Sequence, residues 1–346
     1  MDIKQRKADH IRICVEENVD YSHSYWEDIS LKHQALPDFD FNEVLTQTNL
    51  LGKTLSAPVL IGAISGGIEK ADGLNKLLAK VASEKKIGLC IGSQRPLLKL
   101  KGDKEVLKSY EVVKNYKIPL VIGNIGAPQL PKLTDKDINL LFESIGADYL
   151  AIHLNYPQEI AQVEGDLNAR GVLKKLEEIS KSYPLIVKEV GFGISIEVAE
   201  KLKDAGVKAI DVSGTSGTNW VMVEYFRSKS IADERKMKIA ETFKNWGIPA
   251  PVCLMECRKL GLPLIASSGI RNGLDAAKAI TLGASAVSIA RPFLKKAILS
   301  EKELDEKIDR TIEELKTAMF LTNSREVKDL HKAHFWLKGE LREILR

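Results

Sequence analysis

Short apolar runs recur along the chain and predict eight β-strands. The runs span residues 59–63, 89–92, 120–124, 149–153, 185–189, 209–213, 264–267 and 286–290. Most of them lack a strict alternation of apolar and polar residues, which is typical of strands that are buried on both faces. We therefore expect these strands to lie inside the protein, covered by other elements.

Segments with helical spacing of apolar residues separate the predicted strands. Leu74, Leu77, Leu78 and Val81 recur three and four positions apart, and Ser195 precedes a similar segment that Gly206 ends. Strand and helix thus alternate eight times, which predicts parallel βαβ units. Eight such units over roughly 240 residues favour a closed (β/α)8 barrel, a TIM barrel, over an open doubly wound sheet.

The pattern predicts one domain over residues 1–346. Residues 57–300 form the predicted barrel, and residues 1–56, mostly helical and then irregular, form an N-terminal extension over its mouth. A possible extra helix lies in the long gap between the sixth and seventh strands. Residues 301–346 are predicted to be C-terminal helices, with an amphipathic helix over 301–317 and a last helix near 326–345.

Composition and charge exclude several classes of protein. The 51 basic and 47 acidic residues leave a net charge of +4, so nothing favours nucleic-acid binding. The longest apolar stretch, 57–64, is far shorter than the roughly 20 residues of a membrane-spanning helix, and the charged N-terminus lacks the features of a secretory signal. Four cysteines do not make a disulfide framework, and no second pair completes a metal site with Cys253 and Cys257. We expect buried thiols and a cytoplasmic protein.

Polar residues and glycines follow nearly every predicted strand. In (β/α)8 barrels the active site lies at the C-terminal ends of the strands, so these residues should converge on one rim. Glycine clusters follow strands six, seven and eight, and they favour phosphate binding because backbone N–H groups can approach an anion there. The phosphate candidates are Ser213, Thr218, Gly269, Arg271, Ala290 and Arg291.

Lys188 stands inside an apolar strand, where a charged side chain is costly unless it meets an anion or a site. Three interpretations remain open at this point. Lys188 could contact a flavin and stabilise its reduced form, it could form a Schiff base, or it could point outward between helices.

Two further groups of polar residues suggest substrate contacts. The first, His153, Asn155, Gln158 and Glu159, follows the fourth strand, and Glu159 or Glu164 could bind Mg²⁺. The second is the run 6–10, which contains Arg6, Lys7 and His10. This run is either a solvated surface or, if it folds over the barrel mouth, a binding site for an anionic substrate together with Ser93 and Arg95.

The ordered set of motifs resembles the type 2, FMN-dependent isopentenyl-diphosphate Δ-isomerases. The resemblance extends from about residue 6 to residue 293, and no single motif is specific. The motifs are Arg6-Lys7-x-Asp9-His10, Gly92-Ser93-Gln94-Arg95, Gly123-Asn124-Ile125-Gly126, His153-Leu154-Asn155 with Gln158-Glu159, Val187-Lys188-Glu189, Asp211-Val212-Ser213-Gly214, Ser268-Gly269-Ile270-Arg271 and Ala290-Arg291-Pro292. The chain departs from the family pattern after Asn155, where Tyr156 stands in place of the usual Pro.

The resemblance implies an FMN-bound TIM barrel that interconverts isopentenyl and dimethylallyl diphosphate, with Mg²⁺ and with NADPH or NADH as reductant. It also implies a homo-oligomer, a tetramer or an octamer. FMN would be held by Ala63, Ile64, Ser65, Ser93, Asn124, Lys188, Ser213, Thr218, Gly269, Ile270, Arg271, Ala290 and Arg291. The substrate would be surrounded by Arg6, Lys7, His10, Ser93, Gln94, Arg95, His153, Asn155 and Gln158. Glu159 would bind the metal, and Gln158, His153 and Lys188 would be the catalytic residues.

Two alternatives from other classes remain. An FMN-dependent 2-hydroxy-acid oxidase or dehydrogenase would need an arginine and a histidine arranged for a carboxylate, and it would consume redox equivalents. A scaffold that binds a flavin or a prenyl phosphate would show no turnover. The basic residues around Arg6 and Arg95 favour a diphosphate over a carboxylate, and Gln158, Glu159 and Lys188 argue against an inert scaffold.

Overall fold

The computed structural model describes residues 3–63 and 71–345 of the chain. The residues that precede the barrel form helix α1 (Ile3–Glu16) and three short strands, β1 (Ile29–Leu31), β2 (Thr48–Leu50) and β3 (Lys53–Leu55). This segment is therefore less helical than the sequence predicted, because only its first part forms an α-helix. Strands β2 and β3 pair with each other in an antiparallel hairpin.

Eight parallel strands close into a barrel at the centre of the molecule. They are β4 (Val59–Ile61), β5 (Gly88–Cys90), β6 (Val121–Gly126), β7 (Tyr149–Leu154), β8 (Leu185–Glu189), β9 (Ala209–Asp211), β10 (Leu264–Ala266) and β11 (Ala286–Ile289). Each strand pairs with the next along the chain, and β11 pairs with β4 to close the ring. All eight predicted strands are present, and the predicted (β/α)8 barrel is confirmed.

Helices follow the barrel strands and connect them. They are α2 (Ala71–Lys85), α3 (Arg95–Lys99), α4 (Lys104–Glu111), α5 (Asp135–Glu143), α6 (Tyr156–Ala161), α7 (Val172–Ile179), α8 (Ile196–Asp204), α9 (Trp220–Ser230), α10 (Glu234–Phe243), α11 (Ala250–Cys257), α12 (Gly273–Thr281) and α13 (Arg291–Ala297). The long connection between β9 and β10 contains α9, α10 and α11, where the sequence predicted one extra helix.

The C-terminal segment differs from its prediction. It contains α14 (Glu301–Leu321), α15 (Val327–Leu330), β12 (Phe335–Leu337) and α16 (Gly339–Ile344), so the single helix predicted near 326–345 is wrong. Strand β12 pairs with β1, with Ile29 opposite Leu337. The chain then turns at Gly339, whose φ of +55° is one that L side chains rarely adopt, and a Cβ there would lie 2.5 Å from the Asp28 carboxylate.

The interior of the barrel is filled by one layer of apolar side chains near its N-terminal end. This layer joins alternate residues of the strands to the hairpin β2–β3, and its members include Leu50, Leu55, Leu60, Ile122, Ala151, Ile186, Ala209, Ile265 and Ala286. The residues between them on each strand pack outward against the helices. The next inward-facing layer, two residues further along each strand, therefore lies at the C-terminal mouth.

Candidate active site

The second inward-facing layer is polar and forms the floor of a cavity of about 440 Å³. A strand has a side-chain period of two, so Asn124 follows Ile122, His153 follows Ala151, and Lys188 follows Ile186 on the inner face. The members of this layer are Gly62, Asn124, His153, Lys188, Asp211, Ser267 and Ser288, and all of them line the cavity. The same alternation that fills the core thus places Lys188 inside the barrel mouth, and it excludes the outward-facing alternative.

Helix α1 and the residues after it lie across the cavity mouth. Arg291 holds this segment, because its Nε donates to the Cys14 carbonyl at 2.6 Å and its Nη2 donates to the Glu17 carbonyl at 2.8 Å. Its Nη1 also pairs with Asp20 at 2.7 Å. Of the two interpretations of the N-terminal basic run, the structure supports the one in which the run covers the barrel.

Three cations, two from α1 and one from the start of α3, meet at one side of the cavity. Arg6, Lys7 and Arg95 are close enough that Arg95 lowers the pKa of Arg6, in addition to the larger effect of burial. Burial, followed by the charges of Arg6 and Arg95, lowers the pKa of Lys7 well below its usual value. The Lys7 Nζ lies 2.6 Å from the Ser93 carbonyl. The lowered pKa values of the buried Arg6 and Lys7 indicate an environment that a polyanionic ligand stabilises.

His153 lies beside this cluster and is neutral. Burial, followed by the charges of Lys188, Arg95, Lys7 and Arg6, lowers its pKa to about 3. Its Nδ1 lies 2.6 Å from Asn124 Oδ1. Because an amide oxygen only accepts hydrogen bonds, the Nδ1 carries the proton in this arrangement.

The neutral His153 leads to a stability prediction. Unfolded histidine binds a proton below pH 6.5, whereas folded His153 does so only near pH 3. The folded state therefore loses stability as the pH falls through this window. Between pH 7 and pH 5 we expect the unfolding free energy of the wild type to fall by about 2 kcal/mol more than that of His153→Gln. Urea unfolding at both pH values, with the same FMN concentration for both proteins, measures this, and equal losses would show that His153 is charged in the folded state.

The segment after β7, which includes α6, forms another wall of the cavity. Asn155 Nδ2 donates to Glu159 Oε1 at 3.1 Å, and Glu159 Oε2 accepts from Gln162 Nε2 and from the backbone N–H of Asp166. Arg95 lies 3.9 Å from Glu159. Asn155 Oδ1 is buried without a hydrogen-bond partner, and Asn155 lines the cavity. This wall therefore offers one carboxylate and one unpaired amide oxygen to a ligand.

Glu224 on α9 is the centre of the hydrogen-bond network behind this wall. Its Oε1 lies 2.8 Å from His10 Nε2 and accepts from Gln158 Nε2 at 3.1 Å, and its Oε2 accepts from Arg227. Burial by itself would raise the pKa of Glu224, but His10 and Arg227 outweigh it, and the pKa is about 2. A permanent negative charge thus fixes the side-chain amide of Gln158 at the cavity wall.

Lys188 lies between His153 and Asp211 in the strand register. Its Nζ donates to the Glu189 carbonyl at 2.5 Å. Asp211 is buried and accepts a hydrogen bond from Ser267 Oγ. Burial raises the pKa of Asp211, and Lys188 and Ser267 act against that rise. The floor of the cavity thus combines one lysine with acidic and hydroxyl neighbours.

The loops after β9 and β10 pack closely enough that only glycine fits between them. A Cβ on Gly269 would lie 2.6 Å from the Ser216 side chain, and a Cβ on Gly217 would overlap the backbone of Gly269. Ser213 and Ser268 have positive φ angles of 51° and 67°, which L residues adopt only where surrounding structure holds them. Strained, glycine-containing loops of this kind at the end of barrel strands suit a phosphate group.

Most of the predicted site residues line the cavity. Those that line it are Arg6, Lys7, His10, Ala63, Ser93, Arg95, Asn124, His153, Asn155, Gln158, Glu159, Lys188, Ser213, Thr218, Gly269, Ile270, Arg271, Ala290 and Arg291. Ile64 and Ser65 lie outside the described residues. Despite the departure at Tyr156, Gln158 lies at the cavity, with 8% of its surface exposed.

One predicted residue, Gln94, needs correction, and the side chain of a second, Arg291, binds within the protein. The side chain of Gln94 is fully buried and points away from the cavity, where its Nε2 donates to the Leu141 carbonyl at 2.8 Å, so it does not reach a substrate. The guanidinium of Arg291 binds the N-terminal segment as described above. Arg291 still lines the cavity, and its backbone at the start of α13 is left to contact a cofactor.

Several residues at the cavity were not predicted as site residues from the sequence. Glu224, Gln129, Gln162 and Asp211 lie at or behind the cavity walls. Glu224 could not be found from strand ends, because it lies on a helix inside the long β9–β10 connection. Asp211 could have been found, since it occupies the same inward position on its strand as Lys188 does on β8.

Other expectations concern metal sites, thiols and membranes. All four cysteines are free thiols, and Cys253 and Cys257 are buried, as predicted. Within residues 3–63 and 71–345, no group of three or more His, Cys, Asp or Glu side chains is arranged to bind a metal ion by itself. In the same part of the chain, no helix combines the length and apolar character that crossing a bilayer requires.

Known proteins resemble this chain both in sequence and in fold. The family model described as FMN-dependent dehydrogenase matches residues 153–337. A protein of Picrophilus torridus named isopentenyl-diphosphate delta-isomerase is 43% identical over 99% of both chains. Its namesake in Thermoplasma volcanium is 42% identical, again over 99% of both chains.

Solved structures add evidence on the fold alone. A flavocytochrome b2 variant with pyruvate bound superposes with a TM-score of 0.66 at 15% identity, and the match covers 97% of this chain and 87% of that one.

The family of this chain follows from its sequence. The named relatives match it over almost its full length, and the family model covers more than half of it. The chain belongs to the isopentenyl-diphosphate delta-isomerase family, and its barrel is that of the FMN-dependent dehydrogenases.

Proposed function

We infer that the protein interconverts isopentenyl diphosphate and dimethylallyl diphosphate with FMN as its cofactor. The observation that carries this conclusion is the full-length similarity to relatives named isopentenyl-diphosphate delta-isomerase. The cavity agrees with it, because one side has strained glycine loops that suit the phosphate of FMN and another has buried cations that suit a diphosphate. A volume of about 440 Å³ lies in the range of cofactor sites.

FMN fits the residues of the cavity floor and of the glycine loops. Ser213, Thr218, Gly269 and the backbone of Ala290 and Arg291 would hold its phosphate, since they lie at the ends of β9, β10 and β11. Ala63, Ser93, Asn124, Ile270 and Arg271 would contact the rest of the molecule, with Ile64 and Ser65 expected from the family pattern. Lys188 would place its charge beside the ring. When bound and reduced, FMN supplies a proton donor and an electron-rich ring next to the substrate.

The diphosphate of the substrate would bind to the cation cluster. Arg6, Lys7 and Arg95 provide the charge, and His10 and the backbone around Ser93 complete that side of the cavity. The Arg95 Nε is buried without a hydrogen-bond partner, which leaves a donor for an anion. These contacts would anchor one end of the substrate and direct its alkene toward the cavity floor.

Glu159 would bind Mg²⁺ at the diphosphate. Mg²⁺ commonly takes one or two protein carboxylates and completes its shell with phosphate oxygens and water. Glu159 lines the cavity, whereas Glu164 is not among the lining residues and pairs with Arg227 at 2.9 Å. The unpaired Asn155 Oδ1 next to Glu159 is a further oxygen for the metal or its waters.

The reaction moves a double bond by one carbon, so one proton is added and another is removed. Gln158 cannot titrate near neutral pH, but its amide, fixed by Glu224, would position the alkene or link a proton path. Neutral His153 presents a ring nitrogen that can accept a hydrogen bond, and it would orient the substrate or link a proton path. Burial, together with the charges of Lys188 and Arg95, lowers the pKa of this histidine and keeps it uncharged throughout the neutral range.

Substrate affinity should depend on both salt and Mg²⁺. The buried cations attract a charged ligand, and Glu159 would repel it unless a metal ion lies between them. We expect substrate affinity to fall at high ionic strength and to fall again in EDTA, and Glu159→Gln should lose the second effect only. Titration of the reduced protein with substrate measures this. Equal affinity with and without chelator in the wild type would show that no metal joins Glu159 to the substrate.

We also propose three properties that rest on the family pattern. NADPH or NADH would supply the electrons that reduce FMN, the chain would assemble into a homo-oligomer, and it would act in the cytoplasm. The free thiols of all four cysteines support a reducing compartment.

The function is tested by following the substrate in the presence of FMN. Protein reconstituted with FMN, reduced with dithionite under argon and supplied with Mg²⁺, should convert isopentenyl diphosphate to an equilibrium mixture with dimethylallyl diphosphate. Proton NMR of the vinyl and methyl signals follows both compounds. The oxidised protein is the control and should be inactive. Activity toward 2-hydroxy acids in place of this conversion would support the oxidase alternative, and no turnover of either would support the scaffold.

A further inference from the structure

Gln94 lies in the interior between β6 and α5, where it is hydrogen-bonded on all sides. Its Nε2 donates to the Leu141 carbonyl at 2.8 Å and to Ser144 Oγ at 3.0 Å. Its Oε1 accepts from the backbone N–H of Asn124 at 2.9 Å. The Gln94 backbone N–H in turn donates to the Asn124 carbonyl at 2.8 Å. Gln94 therefore holds the backbone of Asn124 from both sides.

The close approach of Gln94 to β6 depends on a glycine. A Cβ on Gly123 would lie 2.8 Å from Gln94 Oε1, which is closer than real Cβ atoms come to other atoms. The strand thus leaves a space that the side-chain amide of Gln94 fills. Such a fit, with every polar atom of the amide paired, orients the neighbouring residue more strictly than packing alone.

Asn124 in turn contacts His153, so the position of Asn124 determines which ring nitrogen of His153 is the donor. In the register of β6 and β7, Asn124 lies opposite Ala151, two residues before His153 on the same inner face. Its Oδ1 contacts His153 Nδ1 at 2.6 Å. The Nδ1 is thereby the donor, and in a neutral ring the Nε2 is left with a lone pair.

The Nε2 of His153 faces a second glycine. A Cβ on Gly126 would lie 3.0 Å from His153 Nε2 and would overlap the Gln129 side chain. Both His153 and Gln129 line the cavity. A larger residue at this point would cover Nε2, so the absence of a side chain at Gly126 keeps the nitrogen accessible.

We propose that Gln94 is a positioning residue that acts through Asn124 to keep His153 in its Nδ1–H tautomer, with Nε2 as a hydrogen-bond acceptor at the cavity. His153 then accepts from the ligands and does not donate a proton to them. Gln94 thus affects the site without contacting the substrate. The kinetic part of this proposal rests on the proposed function, whereas the tautomer itself does not.

Nitrogen NMR of the FMN-loaded protein tests the tautomer without turnover. The chain has six histidines, so the His153 ring signals are assigned by their absence in His153→Gln. In the wild type we expect one protonated nitrogen, Nδ1, and one unprotonated nitrogen, Nε2. In Gln94→Met, which keeps the volume and removes all hydrogen bonds of the amide, we expect a mixture of the two tautomers.

A matched control separates positioning from loss of stability. Asn75 is likewise a buried amide, which donates to the Ser109 carbonyl at 2.8 Å and lies away from the cavity. Asn75→Leu should leave the His153 signals unchanged. If Gln94→Met does not fold, Gly123→Ala displaces Gln94 Oε1 by a smaller amount and should mix the tautomers in the same way.

Kinetics give the second readout. In Gln94→Met we expect kcat to fall by about 10- to 100-fold, the usual cost of losing a partner that orients a functional histidine, with KM and FMN content unchanged. An Nε2–H tautomer in the wild type, or a Gln94→Met variant with unchanged His153 signals and unchanged kcat, would overturn the proposal. If the wild type shows the expected tautomer but no isomerase activity, the proposed function fails and the positioning of His153 stands.

Discussion

Replacing Gln158 by alanine is expected to lower kcat by about 100-fold or more, the usual effect of removing a group that positions a proton transfer. The Gln158 amide is held by ionised Glu224 through its Nε2 and contacts Asn155 through its Oε1. Both contacts keep the amide at the cavity, and alanine would remove it. FMN content should stay normal, because Gln158 belongs to the proposed substrate side. The measurement is steady-state kinetics beside the flavin absorbance of the purified variant.

Two further variants make the result on Gln158 specific. Gln158→Glu keeps the size of the side chain but places a carboxylate against Glu224 and near the diphosphate, so KM should rise as well. Gln34→Ala replaces a glutamine outside the cavity and should have no effect. Near-normal turnover of Gln158→Ala, with FMN and substrate both bound, would show that Gln158 has no part in the transition state. The proton path would then depend on His153 and the cofactor.

Replacing Lys188 by methionine is expected to make bound FMN harder to reduce. The lysine lies in the cavity floor, and its charge would stabilise the negative charge of the reduced cofactor. Loss of one charge-assisted contact costs about 1.5–3 kcal/mol, which corresponds to a fall of about 30–60 mV in the two-electron potential. The same loss should lower the isomerase rate by about 10- to 150-fold. Spectroelectrochemical titration of the bound flavin measures the first effect.

The matched variant Lys188→Arg keeps the positive charge on the same strand. Its flavin potential should remain close to that of the wild type, even if the larger side chain lowers the rate. An unchanged potential in Lys188→Met together with a normal rate would remove Lys188 from the mechanism. A stable covalent adduct between Lys188 and substrate, trapped with borohydride, would instead support the Schiff-base alternative.

The barrel could be predicted because its signal is local and repeated. Each strand is a short run of apolar residues, and each is followed by a helix with a clear period and a stop such as Gly206. The C-terminal segment could not be predicted in this way. Strand β12 is only three residues long, and its structure depends on pairing with β1, which lies about 300 positions earlier in the sequence. Apolar residues near positions 330–345 fit a helical period as well as they fit this pairing.

The sequence could predict those site residues that stand at the C-terminal ends of the barrel strands. Asn124, His153 and Lys188 follow from the strand positions, because the inner face alternates and the active site lies at the C-terminal mouth. The direction of a side chain in a loop does not follow from position. Gln94 stands between Ser93 and Arg95 at the rim, yet its side chain turns into the interior because Gly123 leaves space for it.

Arg291 illustrates the same limit for a charged residue. A basic side chain next to a predicted phosphate loop favours an anion contact, but the guanidinium binds two carbonyls at the end of α1 and the carboxylate of Asp20. These partners lie more than 270 residues away in sequence, and no local pattern indicates them. Glu224 was missed for a related reason, since its contacts to His10 and Gln158 form only in the folded protein.

The most direct test of an isomerase with no net redox change is the number of product molecules formed per reducing equivalent. FMN-loaded protein is reduced with one measured equivalent of dithionite in the absence of oxygen, and isopentenyl diphosphate is then added in large excess with Mg²⁺. We expect many molecules of dimethylallyl diphosphate for each flavin, with the flavin still reduced at the end. Formation of at most one product molecule per flavin, accompanied by reoxidation of the flavin, would contradict isomerisation and identify a redox reaction.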